Sequence, residues 1–541
     1  MLRDAALRAG LLLLATAACQ RSSLASHRPS IARDAGGDVA PAPDVLAAQA
    51  CAPAPRCPSR VVEDDAALDA VPQYRRLREI LSGAPEAVDI AEVSLLMGQI
   101  DDPELDLAAD LATVDRMAEE VRRAMPARCE GRCRLRVLTR KFLRAWRFRP
   151  VDDPNGLYTD ARYDLLHDVL ATREGYCEGL TVAFLALGHR LGIPLAGVLA
   201  RQHIYVRYTG PDGPVDVDLT RGGAAPERDA VLPGCAPRSG VYGRPLDGAE
   251  MAGQVVSVVG ILDGIPARRR WIDAAVALAP NDPDLRNNRG ADREARYDFE
   301  GAAEDYRAAV ALDPCVAFYR VNLAGALRRA GRVDEAARVL DEVDRATREG
   351  ALEDDPLYTS LARGELAMAR GEDDLAERYF LRAVSASGGA PVAHEALGRL
   401  RMLRGAYADA ATSFLAALER DPSPGARLRL AEAMIRAGHA SGRAELLRAE
   451  RDGADAEDVS WLLGLLAARE GRREEAVARA LRCLDRVGPD CLEAMVVLGD
   501  LSGDPECARR WYAQVARCDL PPRDRERARV ESLAARRGVA R

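Results

Sequence analysis

Small residues recur at one spacing through the second half of this 541-residue chain. Ala275 and Pro280 are followed 34 positions later by Ala309 and Pro314, and Ala376 is followed by Ala410 at the same distance. The same kinds of residue keep the same order around them. One set is Gly290, Ala302, Tyr306 and Ala309, and Gly331 with Ala336 marks the next. Gly364, Gly371, Ala376, Phe380 and Ala383 follow, then Gly398, Gly405, Ala410, Phe414, Ala417 and Pro422. Gly464, Gly471, Ala476 and Cys483 make a later set, and Gly499 with Ala508 a degenerate last one. A period of this length holds one helical hairpin. Its small residues let two antiparallel helices approach closely, and a Gly before the second helix makes the turn. The large residue at Tyr306, Phe380 or Phe414 is expected to fill the gap to the following unit. A single hairpin cannot bury its apolar face, so residues 251–541 are expected to stack into a right-handed, all-α solenoid with a concave groove.

These spacings resemble the tetratricopeptide repeat. The resemblance implies a protein or peptide partner in the groove. A scaffold that only packs against its neighbouring domain is the other reading, because the groove-facing residues carry no legible code. Nucleic acid is not an expected partner: 76 basic and 84 acidic residues give a formal charge of -8, the wrong sign for neutralising phosphate. No interior run approaches the roughly 18 apolar residues of a membrane span.

The chain opens with Arg3 and Arg8, then the apolar run Leu11–Ala15, then Thr16-Ala17-Ala18 before Cys19. A positive start, a short apolar stretch and small residues before a cleavage point describe a signal peptide over residues 1–22 and hence an exported protein. Cysteine directly after the small residues resembles a bacterial lipoprotein signal, which implies lipidation at Cys19 and a membrane-anchored place in the cell envelope. A plain signal peptide cut nearby is the alternative. Residues 23–60, rich in Ser, Ala, Pro and Asp, read as a flexible linker.

Export permits disulfides among the twelve cysteines. Setting aside Cys19 and Cys177 leaves an even number. Cys51 with Cys57 and Cys129 with Cys133 are close enough to close small loops, and Cys483 with Cys491 and Cys507 with Cys518 could staple helices. Connectivity does not follow from sequence. A metal at Cys129 and Cys133 lacks a second ligand pair nearby.

Residues 61–250 carry the chemistry. An apolar stripe through Leu96, Leu105, Leu107, Leu111, Val114, Met117, Ala118 and Val121 predicts a helix over 95–126. A second helix is expected at Leu135–Trp146. A long apolar helix from Cys177 to Leu191 stops at Gly192 and Pro194. Strands follow at Leu195–Ala200, His203–Tyr208 and Val215–Thr220, the last two joined by the hairpin loop Thr209–Pro214. A cysteine that opens a helix, followed by a hairpin with His and Asp, suits nucleophilic catalysis. The helix N-terminus favours the thiolate, an imidazole takes the proton and a carboxylate orients the imidazole. With Tyr208 paired to Val215, Arg207 faces Asp216 and Tyr205 faces Asp218, which leaves Asp218 diagonal to His203. Cys177 is therefore the candidate nucleophile, His203 the base and Asp218 the orienting group. His167 and His189 sit inside helices and read as structural.

Several stretches resemble the SirB1-type branch of the transglutaminase-like superfamily. They are Tyr163–Leu170, Arg173-Glu-Gly175, Arg190–Pro194, Gly197-Val198, His203–Tyr208, Asp218–Gly223 and Arg286–Gly290. The resemblance implies an α+β papain/transglutaminase-like domain followed by an all-α tetratricopeptide-repeat solenoid. The SirB1-type pattern usually has proline where this chain has Cys177, whereas Gly175-Tyr-Cys-Glu-Gly179 resembles the active transglutaminase-like core. An enzyme acting on amide bonds is one expectation, with Cys177 as a buried core thiol of a non-catalytic envelope scaffold as the other. No P-loop, dinucleotide fingerprint or HExxH motif is present, so neither a cofactor nor a metal is expected.

Overall fold

The computed structural model describes residues 71–85, 88–151, 160–201, 203–226, 237–258, 268–352, 355–454, 456–486, 492–501 and 505–517. The signal, the linker and Cys19 lie outside the described residues. The chain divides into two compact units, one holding residues 71–326 with 342–352 and the other 327–341 with 355–517. No described helix is long and apolar enough to cross a membrane.

In the first unit, helices α1 (Pro72–Leu81), α2 (Ile90–Asp101), α3 (Leu107–Ala124) and α4 (Arg132–Arg140) precede the short strand β1 (Arg149–Pro150). The single helix expected over 95–126 is two. Pro103 has no N–H to give a continuing ladder. Asp106 accepts from Ala109 N at 3.0 Å and so caps a new helix, while Gln99 Nε2 donates to Leu105 O across the break. The helix expected at Leu135–Trp146 begins earlier, at Arg132, and ends in a π-turn over Lys141–Ala145. That turn carries Phe142, which stacks on Phe148 with ring centroids 4.0 Å apart and meets Phe184 edge-on at 5.2 Å.

Helix α5 (Leu166–Thr172) runs into β2 (Glu174–Gly175), which pairs in parallel with β1. Helix α6 (Cys177–Leu191) has the expected bounds. Gly192, at φ 62°, takes the left-handed conformation that ends it. Strands β3 (Leu195–Ala200), β4 (His203–Tyr208) and β5 (Val215–Val217) form an antiparallel sheet in that order. Arg207 pairs with Asp216 and Tyr208 with Val215, the register expected from alternation. The third strand stops three residues short of Thr220. Asp218 N donates to Ala224 O, and the Asp218 side chain accepts from Thr220 N, so the chain coils into a turn. Tyr205 therefore has no ladder partner at Asp218.

One hydrophobic cluster joins these elements to the helices that follow. It runs from Tyr74 and Leu77 through Phe142, Leu180 and Phe184 to Met251 and Val255 of α7 (Gly248–Ser257). It then takes in Trp271, Ile272 and Val276 of α8 (Arg268–Leu278) and Leu285 of α9 (Pro283–Ala295). α10 (Phe299–Leu312) and α11 (Ala317–Arg329) continue the helical series.

Helical hairpins make up the second unit. Among them, α13 (Pro356–Arg370) precedes α14 (Asp373–Ala386), and α15 (Pro391–Leu403) precedes α16 (Tyr407–Leu418), all after α12 (Val333–Arg348). Further helices lie at Pro424–Ala437, Gly442–Arg451, Ala456–Arg469, Arg473–Arg486, Leu492–Leu501 and Pro505–Arg517. The turns before the second helices use Gly371 at φ 79° and Gly405 at φ 74°, as the repeat spacing requires. Phe414 shares a buried cluster with Ala426, Leu430 and Ala433 of the following unit, as the repeat spacing predicts, and the rings also pack back on their own hairpins. A Cβ placed on Gly398 would lie 2.6 Å from the Phe414 ring, and one on Gly364 would overlap Phe380. Each ring thus packs on the glycine of its own hairpin. The helices can close on each other only because that glycine has no side chain.

Disulfide formation is observed between Cys129 and Cys133, which excludes a metal there. Cys315 and Cys507 are also disulfide-bonded. Cys51, Cys57, Cys491 and Cys518 lie outside the described residues, and with them the other expected pairings.

Candidate active site

The first turn of α6 is shaped by two glycines. A Cβ on Gly179 would overlap Tyr163 O and sit 3.0 Å from the Asp164 Cα; one on Gly175 would lie 3.1 Å from the same carbonyl. Tyr176 N donates to Tyr163 O at 2.9 Å. The backbone at Tyr163–Asp164 is therefore laid directly against the start of the helix. Cys177 is the first helical residue, is partly buried, and keeps its thiol outside any disulfide. No side chain caps this helix end. The positive end of the helix dipole is therefore presented where the thiol stands.

His203 begins β4 at the point where β3 turns back, and Ala200 is its ladder partner. Its Nε2 lies 2.9 Å from Asp218 Oδ2. Asp218, only 2% exposed, also accepts on Oδ1 from Thr220 N at 3.0 Å and Thr220 Oγ1 at 2.7 Å. Burial alone would hold the imidazolium down. The Asp218 bond, a bond to Cys177 and the charges of both partners outweigh it and raise the His203 pKa to about 9. Nδ1 of His203 is buried, and the Cys177 sulfur is the other group that acts on this ring. With Nε2 committed to Asp218, Nδ1 is the nitrogen left to exchange a proton with sulfur. Burial would likewise raise the Asp218 carboxyl, but the bonds from His203 and Thr220 hold it below the usual carboxylate range.

The structure thus brings Cys177, His203 and Asp218 together. Asp216 is turned away: Arg207 Nε and Nη2 bond its two oxygens at 2.6 and 2.9 Å, and Arg207 Nη1 reaches Gly243 O at 2.7 Å. His167 bonds Asp110 at 2.7 Å, and His189 Nδ1 lies 3.2 Å from Arg190 Nη1, both apart from this cluster.

Two residues of the site escaped the sequence. Glu178, next to Cys177, has its carboxyl pushed well above the usual range by burial, then by the charges of Asp164, Cys177 and Asp282. That direction disfavours a second negative charge beside Cys177. Thr220 lies in a stretch expected to be strand, whereas Asp218-Leu-Thr220 forms a turn in which the acid accepts from the residue two positions on. Among the described residues, no group of three or more His, Cys, Asp or Glu is placed to hold a metal ion.

Residues 109–232 match the family model of the transglutaminase-like superfamily. This part of the chain is a transglutaminase-like domain. It holds all three residues of the cluster, and tetratricopeptide-type helical hairpins follow it. No curated protein matches the chain. Among solved structures, the chain is similar to a monomeric mutant of IFIT1 bound to m7Gppp-AAAA, with 14% identity over 53% of this chain and 71% of the other, at a TM-score of 0.40. It is also similar to a tetratricopeptide repeat protein from Parabacteroides merdae, with 16% identity over 47% of this chain and 98% of that one, at a TM-score of 0.36. For PilW, a type IV pilus biogenesis factor, the values are 21%, 36%, 89% and 0.30.

Proposed function

We propose that the transglutaminase-like domain is a cysteine enzyme acting on amide bonds. The observation that carries this is His203, bonded to Asp218 at 2.9 Å on one side and acted on by the Cys177 sulfur as well. The Cys177 thiolate attacks the amide carbonyl, forming the C–S bond, and the carbonyl electron pair moves to oxygen. Backbone N–H groups of the first turn of α6 stabilise that oxyanion. As the oxyanion collapses, the C–N bond breaks, and the His203 imidazolium gives its proton to the departing amine. A thioester on Cys177 remains. His203, now neutral, takes a proton from water or from an acceptor amine, which attacks the thioester and restores the thiolate. Water gives hydrolysis and an amine gives acyl transfer; the same residues serve both. Asp218 keeps the imidazole in place and stabilises its cationic form.

The helical hairpins behind this domain offer a surface for a protein or peptide substrate or partner. The start of the chain fits an exported lipoprotein held at the bacterial cell envelope through Cys19.

A mild electrophile at neutral pH tests the catalytic reading, with labelling of residue 177 read by mass spectrometry. Wild type should label fast. His203→Ala should slow it most, Asp218→Asn less, and Asp216→Asn least, because Asp216 is held by Arg207. An unreactive Cys177 in the folded chain, or a rate indifferent to His203, would favour a non-catalytic scaffold. For the anchor, Cys19→Ser should move the protein from the membrane to the soluble fraction, and soluble wild type with another N-terminus would exclude lipidation.

A further inference from the structure

The acid of the site is held more tightly than the base. Asp218 N donates to Ala224 O at 2.8 Å, and Asp218 O accepts from Gly223 N at 2.8 Å and Arg221 N at 3.3 Å. The backbone on both sides of the side chain is thus fixed. The carboxylate itself turns about χ2, a soft, roughly two-fold torsion with no sharp minimum of its own. Something must stop that rotation if Oδ2 is to stay aimed at Nε2. We propose that Thr220 is the positioning residue of this site, its hydroxyl and its N–H together clamping Asp218 Oδ1 so that Oδ2 is presented to His203.

This inference rests on reading Cys177, His203 and Asp218 as a working set, and it names the residue that sets their alignment. Thr220 reaches Oδ1 from two directions, by Oγ1 at 2.7 Å and by N at 3.0 Å. Two donors on one oxygen fix the plane of the carboxylate as well as its position. A buried carboxylate also needs its lone pairs satisfied, and with His203 taking one oxygen, Thr220 supplies the other. Thr220 touches no reacting atom in this arrangement and acts only through Asp218. The short turn Leu219–Arg221, closed by Gly222 at φ 67° and Gly223 at φ 84°, brings the hydroxyl round to its own acid.

The test uses the full chain with its histidines labelled with 15N, and reads the Nε2 proton of His203 by NMR as the pH is lowered. That proton is seen while the bridge to an ionised Asp218 persists and is lost when Asp218 takes up a proton. Thr220→Val keeps the shape and removes the donor. With one hydrogen bond to the charged form gone, Asp218 binds protons more tightly. The loss should then occur about one pH unit higher than in wild type, roughly tenfold in proton affinity. Thr220→Ser keeps the donor and should restore the wild-type midpoint, which a role in packing alone would not predict. Thr220→Ala gives the same reading as Val should Val not fold. In the labelling assay, Thr220→Val should slow Cys177 by roughly three- to tenfold at neutral pH, with Ser near wild type. A Val or Ala midpoint equal to wild type, or a Ser variant as altered as Val, overturns the inference. A wild-type Cys177 that does not label would count against the catalytic reading alone, because the NMR midpoint still decides the role of Thr220.

Discussion

His203 is under opposed demands: burial disfavours its charge, and two acidic neighbours favour it. The neighbours win, and the sign of the result can be followed in pH. A histidine whose pKa rises from 6.5 to about 9 on folding adds stability that is fully present below 6.5 and lost as pH climbs through 9. The melting temperature of wild type should therefore exceed that of His203→Asn most at pH 6, with the gap closing towards pH 10. The same pairing predicts the reactivity of sulfur. Wild-type alkylation should stay nearly flat between pH 7 and 8, whereas an unperturbed thiol near pKa 8.5 gains roughly tenfold over that unit. Gly179→Ala should also slow labelling, because its methyl meets the carbonyl of Tyr163 and pushes Tyr163–Asp164 off the helix start. The Arg207–Asp216 pair was legible because strand alternation is a strict rule and Arg207 needed a carboxylate, and Cys177 because it opens an apolar helix; Asp218 meets His203 from a turn and not by the strand pairing expected of it. Thr220 was not legible, since its part depends on a strand ending early. Nor was Glu178, whose carboxyl is pushed up first by burial and then by the charges of Asp164, Cys177 and Asp282, an environment that only the fold assembles.

Helices were read from periodicity, and periodicity is blind to an interruption that keeps the apolar face in phase. That is why 95–126 looked like one helix: Leu105 is still buried across the break that Pro103 and Asp106 introduce. Cys177–Leu191 was read with its bounds intact because a left-handed glycine and a proline mark its end in the sequence. In the repeats, the spacing located the small and large residues and the contact of Phe414 with the following unit, but not the contact of each ring with the glycine of its own hairpin. The ring-on-glycine contact is open to a double-mutant cycle. Gly398→Ala should destabilise the fold, and the loss should shrink when Phe414→Leu is already present; additive effects in a thermal melt would mean that the two do not touch. Ala410, fully buried beside Phe414, should tolerate no growth: Ala410→Leu should cost about 1–3 kcal/mol by denaturant titration.

For the whole molecule, the repeat pattern suggests a boundary at about residue 250, whereas the first compact unit runs on to Ala326 and takes in 342–352 as well. Trp271, Ile272, Val276 and Leu285 share one core with Leu180 and Phe184 of the helix that Cys177 opens. A fragment ending at Ser257 should therefore lose its cooperative melt, while one ending after residue 354 keeps it, together with the His203 pH dependence. Retention of both by the shorter fragment would show that the shared core is dispensable. A solenoid whose units touch only their neighbours can be copied or trimmed one period at a time. Here that freedom is unequal along the chain. Units beyond residue 354 are the ones expected to be duplicated, lost or exchanged by recombination while the first compact unit is kept whole. The helices just after residue 250 cannot be exchanged in this way, for a crossover there would cut through the core that holds the transglutaminase-like domain together. Such a lineage is free to diversify at its far end while its near end stays fixed.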